Sequence, residues 1–277
     1  VPILHAIVLG IVQGLSEFLP ISSSGHLILV PELLHWTELT KHTDFNKTFD
    51  VALHLGTLVA VAVYFRREIV RYVAAAAVSV RQRAVRTVDQ RIAWLLLLSA
   101  VPGAIAGALL EKTIEDELGE PVLIGVMMIM FGLLLYAADR LPAPRVFNEL
   151  DRRGAVLTGL AQALALSPGV SRSGVTITTG RWLGFRRDAA IRISFLMSLP
   201  ITAGACIYKG AKLALGSGIA PGMGPPFVWG IVTSAVTGYL AIAFLLRLVR
   251  THSFTPLVVY RLLLGSAVIV IFATGLR

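Results

Sequence analysis

Residues Pro168–Ile177 read PGVSRSGVTI, inside a longer apolar run, GAVLTGLAQALALSPGVSRSGVTITTGRWLG, from Gly154 to Gly184. A run of that length can cross a bilayer, which takes about 20 residues, but Pro, Gly and Ser break it near its middle. Arg172 lies at the break, where a charged side chain costs roughly 2.5 to 3.5 kcal/mol on insertion scales. A spanning helix would leave that charge in lipid. Two half-length helices folded back on each other would not, because a non-helical tip is tolerated inside protein or beside a watery cavity. The same interruption occurs in IVLGIVQGLSEFLPISSSGHLILVPELL, Ile7 to Leu34. Both runs are therefore read as re-entrant helical hairpins.

Composition supports a bilayer as the solvent. The chain is 56% hydrophobic and 15% charged, with a mean hydropathy of +0.77, whereas about a quarter of a soluble domain is charged. The net charge of +9 does not point to nucleic acid, because no basic stripe is interleaved with aromatics and membrane proteins collect Lys and Arg in cytoplasmic loops. The single cysteine, Cys206, excludes an internal disulfide and a Cys-rich zinc site. The start, VPILHAIVLG, shows no signal-peptide pattern, so the chain is expected to be membrane-embedded from its first residues.

Six further segments are apolar enough to span: Phe49 to Phe65, Ile92 to Leu110, Pro121 to Ala138, Ala189 to Tyr208, Phe227 to Leu246 and Leu257 to Thr274. The chain also repeats itself. WLLLLSAVPGAIAGA from Trp94 aligns with WGIVTSAVTGYLAIA from Trp229, and GIVQGLSEFLPISSSG from Gly10 aligns with GLAQALALSPGVSRSG from Gly159. The expectation is an all-α integral membrane protein of two repeats, residues 1–140 and 141–277, each one hairpin plus three spans. Three spans are an odd number, so the halves are inverted relative to each other.

Charge orients this arrangement by the positive-inside rule. One side gathers Arg66, Arg67, Arg71, Arg81, Arg83, Arg86, Arg91, Arg140, Arg145, Arg152, Arg153, Arg181, Arg186, Arg187, Arg192, Arg247 and Arg250. The other keeps Lys41, Lys47, Lys112, Lys209, Lys212 and Arg277 beside the acidic residues Glu111, Glu115, Asp116, Glu117 and Glu120. Both termini then face outward, and the hairpins enter from opposite sides with their tips meeting inside the bilayer. Only Arg172 and Arg261 fall in no loop.

The tips carry reactive groups. Gln13 and Glu17, four apart, share a helix face, and an intramembrane carboxylate is a functional candidate by default. Ser22, Ser23, Ser24 and Gly25 precede His26 in a turn able to offer hydroxyls and backbone N–H groups to an anion at a helix start. In the second tip Arg172, whose guanidinium forks onto phosphate oxygens, lies among Ser171, Ser173, Gly174 and Thr176. A purely structural pairing of Arg172 with Glu17 is the alternative use of that charge. One carboxylate, one arginine, one histidine and several hydroxyls suit phosphoryl chemistry. Asp50 and His54, also four apart, are read as lining the entrance.

At these residues the sequence resembles the bacitracin-resistance type of undecaprenyl pyrophosphate phosphatase. The family motifs are a Glu or Gln followed four residues later by Glu, here Gln13 to Glu17 and onward through FLPISSSGH to His26, and a Pro-Gly-x-Ser-Arg-Ser-Gly stretch, here PGVSRSG. The likeness runs over the whole chain, including KTFDVALHLGTLVAV after the first hairpin. It implies a bacterial inner-membrane enzyme that removes the terminal phosphate of a polyisoprenyl diphosphate, recycles the lipid carrier of cell-wall synthesis and confers bacitracin resistance. It also implies a divalent cation, magnesium or alternatively calcium, with Glu17 as its protein ligand. Gln13 stands where some relatives carry Glu, which shifts that burden onto Glu17 and the substrate oxygens.

On this reading Glu17, Ser23, His26 and Arg172 are catalytic, while Gln13, Ser22, Ser24, Gly25, Ser171, Ser173, Gly174 and Thr176 bind substrate. Ser23 is the preferred nucleophile and His26 the alternative, with Glu17 near enough in sequence to orient His26. The partners are the lipid substrate, membrane lipids and, as a homodimer, a second copy of the chain. The type-2 phosphatidic acid phosphatases fit less well, because after Ser171 and Arg172 the next histidine is His252. The rival from another class is a lipid flippase or anion transporter, which shares the inverted-repeat architecture and needs no nucleophile.

Overall fold

A computed structural model describes residues 2–36, 43–117, 119–215 and 223–274, with the side chains of 43–48, 110–117 and 213–214 outside the description. The described residues form eleven α-helices and no strand. They are α1 (Ile3–Phe18), α2 (Ser23–Leu33), α3 (Thr43–Tyr64), α4 (Arg66–Gln82), α5 (Val88–Glu117) and α6 (Pro121–Asp139), then α7 (Arg152–Leu164), α8 (Arg172–Trp182), α9 (Arg187–Leu215), α10 (Gly224–Leu248) and α11 (Thr255–Thr274). A 3-10 turn, Phe147–Glu149, joins α6 to α7.

Five helices are long and apolar enough to cross a membrane: Val88–Leu109, Pro121–Asp139, Arg187–Lys212, Gly224–Leu248 and Thr255–Thr274. The first span expected from the sequence is helical too, but α3 meets α4 at an angle of 82°, and the count reaches six when this bent pair is taken as one span. α4 stands where the sequence suggests a charged loop after the first span. Its arginines line an amphipathic helix that buries Tyr72 and Ser79, and Trp94 of α5 donates its indole N–H to the Ser79 hydroxyl at 2.8 Å. Lys41 lies outside the described residues, as do Arg277 and the side chains of Lys47, Glu111, Lys112, Glu115, Asp116 and Glu117.

Both interrupted runs break where the sequence places the break. Leu19, ahead of Pro20, is extended at φ −67° and ψ 138°, as the pyrrolidine ring demands of the residue before it. α2 and α8 then start from serines with a left-handed backbone, Ser22 at φ 77° and Ser171 at φ 73°. Non-glycine residues adopt that conformation at a cost of order 1 kcal/mol or more. Each serine hydroxyl accepts the N–H of the glycine three residues on, Gly25 at 3.4 Å and Gly174 at 3.1 Å, which satisfies an otherwise open donor at the helix start.

α1 packs along α10, α10 along α3, α7 along α5, and α6 along α11. The α1–α10 seam is built on small residues. A Cβ on Gly10 would lie 2.0 Å from the Thr233 Oγ1, and one on Gly14 would lie 2.0 Å from the Thr237 Oγ1. Such a Gly-x-x-x-Gly face lets two backbones approach closely, and Thr237 Oγ1 donates to the Gly10 carbonyl at 3.4 Å. Near the tips Phe18 of α1 meets Phe195 of α9 edge to face at 5.1 Å. One charge assigned to a loop is buried instead: Arg181, near the end of α8, is almost fully enclosed and donates to the carbonyls of Asp139, Leu141 and Phe185. Asp139, also buried, accepts from Arg187 and from the backbone N–H of Phe254, which fastens α6 to α9 and to the start of α11.

Candidate active site

Glu17 lies in the last turn of α1 with its side chain 4% exposed. One carboxylate oxygen accepts from Gln13 Nε2 at 3.1 Å and from Ser23 Oγ at 2.6 Å. The other accepts from an Arg172 terminal nitrogen. The second terminal nitrogen of Arg172 donates to Thr202 Oγ1 of α9 at 2.6 Å. Gln13 reaches the carboxylate because residues four apart share a helix face, Ser23 because the turn at Pro20 folds α2 back beside α1, and Arg172 because the second tip abuts the first. Ser173 Oγ donates to the Leu19 carbonyl at 3.1 Å and ties the tips together. The buried charge of Glu17 thus has the opposite charge and hydrogen-bond donors that burial requires.

The remaining predicted site residues shape the tips. Ser22 and Ser24 hydroxyls lie 3.5 Å apart, and those of Ser171 and Ser173 lie 3.3 Å apart. Gly25 and Gly174 supply the capped N–H groups. Thr176 turns away from the guanidinium: its hydroxyl bonds the Arg172 carbonyl at 2.7 Å and lies 2.7 Å from Ser194 Oγ of α9.

His26 departs from the expectation that Glu17 orients it. The carbonyl of Ser22 can only accept, so the Nδ1 of His26, 2.6 Å away, carries the proton. Nε2 is then the acceptor for the Tyr260 hydroxyl at 2.7 Å, and the two rings stack with centroids 5.7 Å apart. The ring faces α11, and the group that Glu17 touches is Ser23. A different histidine stands beside the carboxylate. His54 of α3 has its Nε2 3.7 Å from Glu17 and its Nδ1 2.8 Å from the Asp50 carbonyl, so this side chain faces the carboxylate itself. Thr202, Tyr260 and Arg261 were not among the expected site residues. A threonine or tyrosine in an apolar span carries no distinguishing mark, whereas Arg261 was legible as a charge without a loop.

Two clefts flank the Glu17–Arg172 pair. One is lined by Thr57, Leu58 and Val61 of α3 with Ser198, Leu199 and Thr202 of α9. The other is lined by Ser173, Ser194, Phe195 and Ser198. Hydroxyls and aliphatic groups mixed around an ion pair suit an amphiphile with an anionic head.

Among the described residues no three His, Cys, Asp or Glu side chains cluster as a metal site. Glu17 lines both clefts, and Gln13 beside it has a buried Oε1 with no hydrogen-bond partner. Both are oxygen donors, and magnesium is commonly held by one or two carboxylates together with substrate phosphates and water. The donor set therefore fits a hard divalent cation that arrives with a phosphate ligand.

A family model described as "Bacitracin resistance protein BacA" matches residues 6–267. A protein of Pelobacter propionicus named "Undecaprenyl-diphosphatase" is 50% identical over 99% of this chain and 98% of its own length. Proteins with the same name are 52% identical in Geobacter sulfurreducens, over 96% of this chain and 97% of the relative, and 45% identical in Pelotomaculum thermopropionicum, over 98% and 97%.

Proposed function

The chain belongs to the bacitracin resistance protein BacA family, and from that premise we propose that it hydrolyses undecaprenyl diphosphate to the monophosphate and inorganic phosphate. The observation that carries the reading is the contact of Ser23 and Arg172 with the two oxygens of one buried carboxylate, Glu17. A hydroxyl nucleophile, its base and a charge-neutralising fork are thereby joined at the meeting of two hairpin tips. The relatives named undecaprenyl-diphosphatase, similar over nearly their whole length, supply the substrate.

In the proposed sequence the terminal phosphate enters at the tips and draws Arg172 from Glu17 onto its own oxygens, where a planar fork gives two parallel N–H bonds. Glu17 then takes the Ser23 proton as Oγ bonds to the terminal phosphorus and the bond to the bridging oxygen breaks. The polyisoprenyl monophosphate leaves. With the first proton passed from Glu17 to the departing monophosphate oxygen, the carboxylate takes a proton from water as the water oxygen bonds to phosphorus and the bond to Ser23 Oγ breaks; that proton returns to Oγ and inorganic phosphate is released. A divalent cation held by Glu17, Gln13 Oε1 and the substrate oxygens would neutralise phosphate charge. His26 shapes the first tip through Ser22, while Ser171, Ser173 and the first N–H groups of α8 face the anion as a helix N-terminus does.

The proposal includes the membrane frame: an inner-membrane protein of two inverted repeats, 1–140 and 141–277, with both termini outside, re-entrant hairpins and a site opening to the periplasm. Reciprocal packing supports it, since α1 lies along α10 of the other half and α7 along α5, and those two partners are the segments that align from Trp94 and Trp229. The matching left-handed serines at the tips support it too. In a Cys206→Ser background, single cysteines at Arg83 and Asp116 are expected to label from opposite faces. Labelling of both by an impermeant reagent from outside would sink the topology.

The activity is tested by phosphate release from undecaprenyl diphosphate by the purified protein in detergent with magnesium. Release that is lost on chelation is expected. A flippase or transporter has no gradient there, so an absence of release would overturn the hydrolase reading. Bacitracin resistance and recycling of the lipid carrier follow from the same activity and fall with it.

A further inference from the structure

Arg261 of α11 is completely buried, and among the described residues it has no carboxylate partner. Every hydrogen bond it makes runs to a backbone carbonyl. Nε bonds Met128 of α6 at 2.9 Å, one terminal nitrogen bonds Pro20 at 3.0 Å, and the other bonds Gly169 at 2.9 Å and Val170 at 3.2 Å. Pro20 belongs to the tip that carries Ser23, and Gly169 and Val170 belong to the tip that carries Arg172. One guanidinium therefore fastens both tips and anchors them to α6. The space is cut for it: a Cβ on Gly174 would lie 2.9 Å from the Arg261 terminal nitrogen that holds Pro20.

We infer that Arg261 is a positioning residue for the reaction, setting the separation of the two hairpin tips and thereby the reach of Arg172 toward a phosphate held at Ser23. The inference rests on the hydrolase reading above. A guanidinium is suited to the task because five N–H donors in a rigid plane serve acceptors on several sides at once, which the compact ammonium of lysine does not do. Its charge matters as well. Arg172 is paired with Glu17 while Arg261 has no carboxylate partner among the described residues, so the two tips hold one more guanidinium than this pair balances, and an anionic phosphate completes the balance.

The test compares Arg261→Lys with the unaltered protein in detergent on undecaprenyl diphosphate. Lysine keeps the charge but cannot bond both tips, so a folded, monodisperse variant is expected to keep KM within about threefold and to lose at least about tenfold in kcat, since misplacement by an ångström can cost about 100-fold. If Arg261 acts through Arg172, the Arg172→Lys, Arg261→Lys double variant is expected to fall only about threefold below Arg172→Lys alone. Unchanged kcat in the folded single variant, or losses that simply multiply in the double, would overturn the inference. Should Arg261→Lys not fold, Gly132→Val carries the same comparison, because a Cβ at Gly132 already lies 3.4 Å from the Arg261 Cβ and the larger side chain crowds its stem. A drop in kcat with KM unchanged supports positioning there, and unaltered kcat overturns it. An inactive unaltered protein would sink the hydrolase reading instead, so the two failures are distinct.

Discussion

Ser23→Ala is expected to lower turnover by at least roughly 10⁴-fold, the scale on which loss of an activated serine nucleophile is felt, while the protein stays folded. Folding is spared because the Glu17 oxygen that Ser23 contacts keeps the Gln13 amide, and the other oxygen keeps Arg172. The covalent species is the sharper reading. Enzyme quenched with substrate labelled in its terminal phosphate should hold acid-stable label, the signature of phosphoserine, and the label should vanish in Ser23→Ala. Acid-labile label that persists in Ser23→Ala would hand the attack to His26 and would require its contact with Tyr260 to break. No trapped label at all would point to direct attack by water.

Arg172→Lys is expected to lose at least about 100-fold in turnover, comparable with the roughly 10²- to 10³-fold that follows removal of one oxyanion donor. The arginine spans two acceptors on different helices, Glu17 of α1 and Thr202 of α9, and its fork suits phosphate in the same way. An ammonium can neutralise Glu17 but cannot supply two parallel bonds to phosphate. Lysine is preferred to alanine for this measurement because removing one member of a buried pair leaves an uncompensated charge worth about 3–5 kcal/mol of stability. Near-normal kcat in a folded Arg172→Lys would make the pair structural only.

What the sequence revealed and what it hid divide along physical lines. Long apolar runs announce themselves, so the five strongly apolar spans were legible, and so were the two breaks, because Pro20 and the Ser-x-Ser-Gly turns punctuate them. α4 was hidden because its arginines read as loop charge while its buried face, Tyr72 and Ser79, is narrow. Within the site, contacts at helical spacing were readable, as Gln13 with Glu17 shows. Which partner a side chain chooses across helices was not. Ser23 and His26 are three apart on one helix, yet one turns to Glu17 and the other to Tyr260 near the far end of the chain. His54 shows the same limit, since its spacing from Asp50 gave no sign that its ring faces Glu17.

The glycine seam between α1 and α10 bears on where the Glu17 carboxylate stands. Gly10 and Gly14 leave slots that the Thr233 and Thr237 hydroxyls fill. Axial sliding of α1 by one residue, about 1.5 Å, would carry those hydroxyls out of their slots and against neighbouring side chains. The seam works as a notched rail that fixes the height of Glu17 by the absence of two side chains. Facing it, the cleft is walled by Thr57, Leu58 and Val61 of α3 and by Ser198, Leu199 and Thr202 of α9. The α3 wall is keyed to α10 in the same way, since a Cβ on Gly56 would lie 2.8 Å from the Ser234 Cβ and Ser234 Oγ donates to the Leu53 carbonyl at 2.8 Å, so Glu17 and the wall facing it keep a common height on one helix.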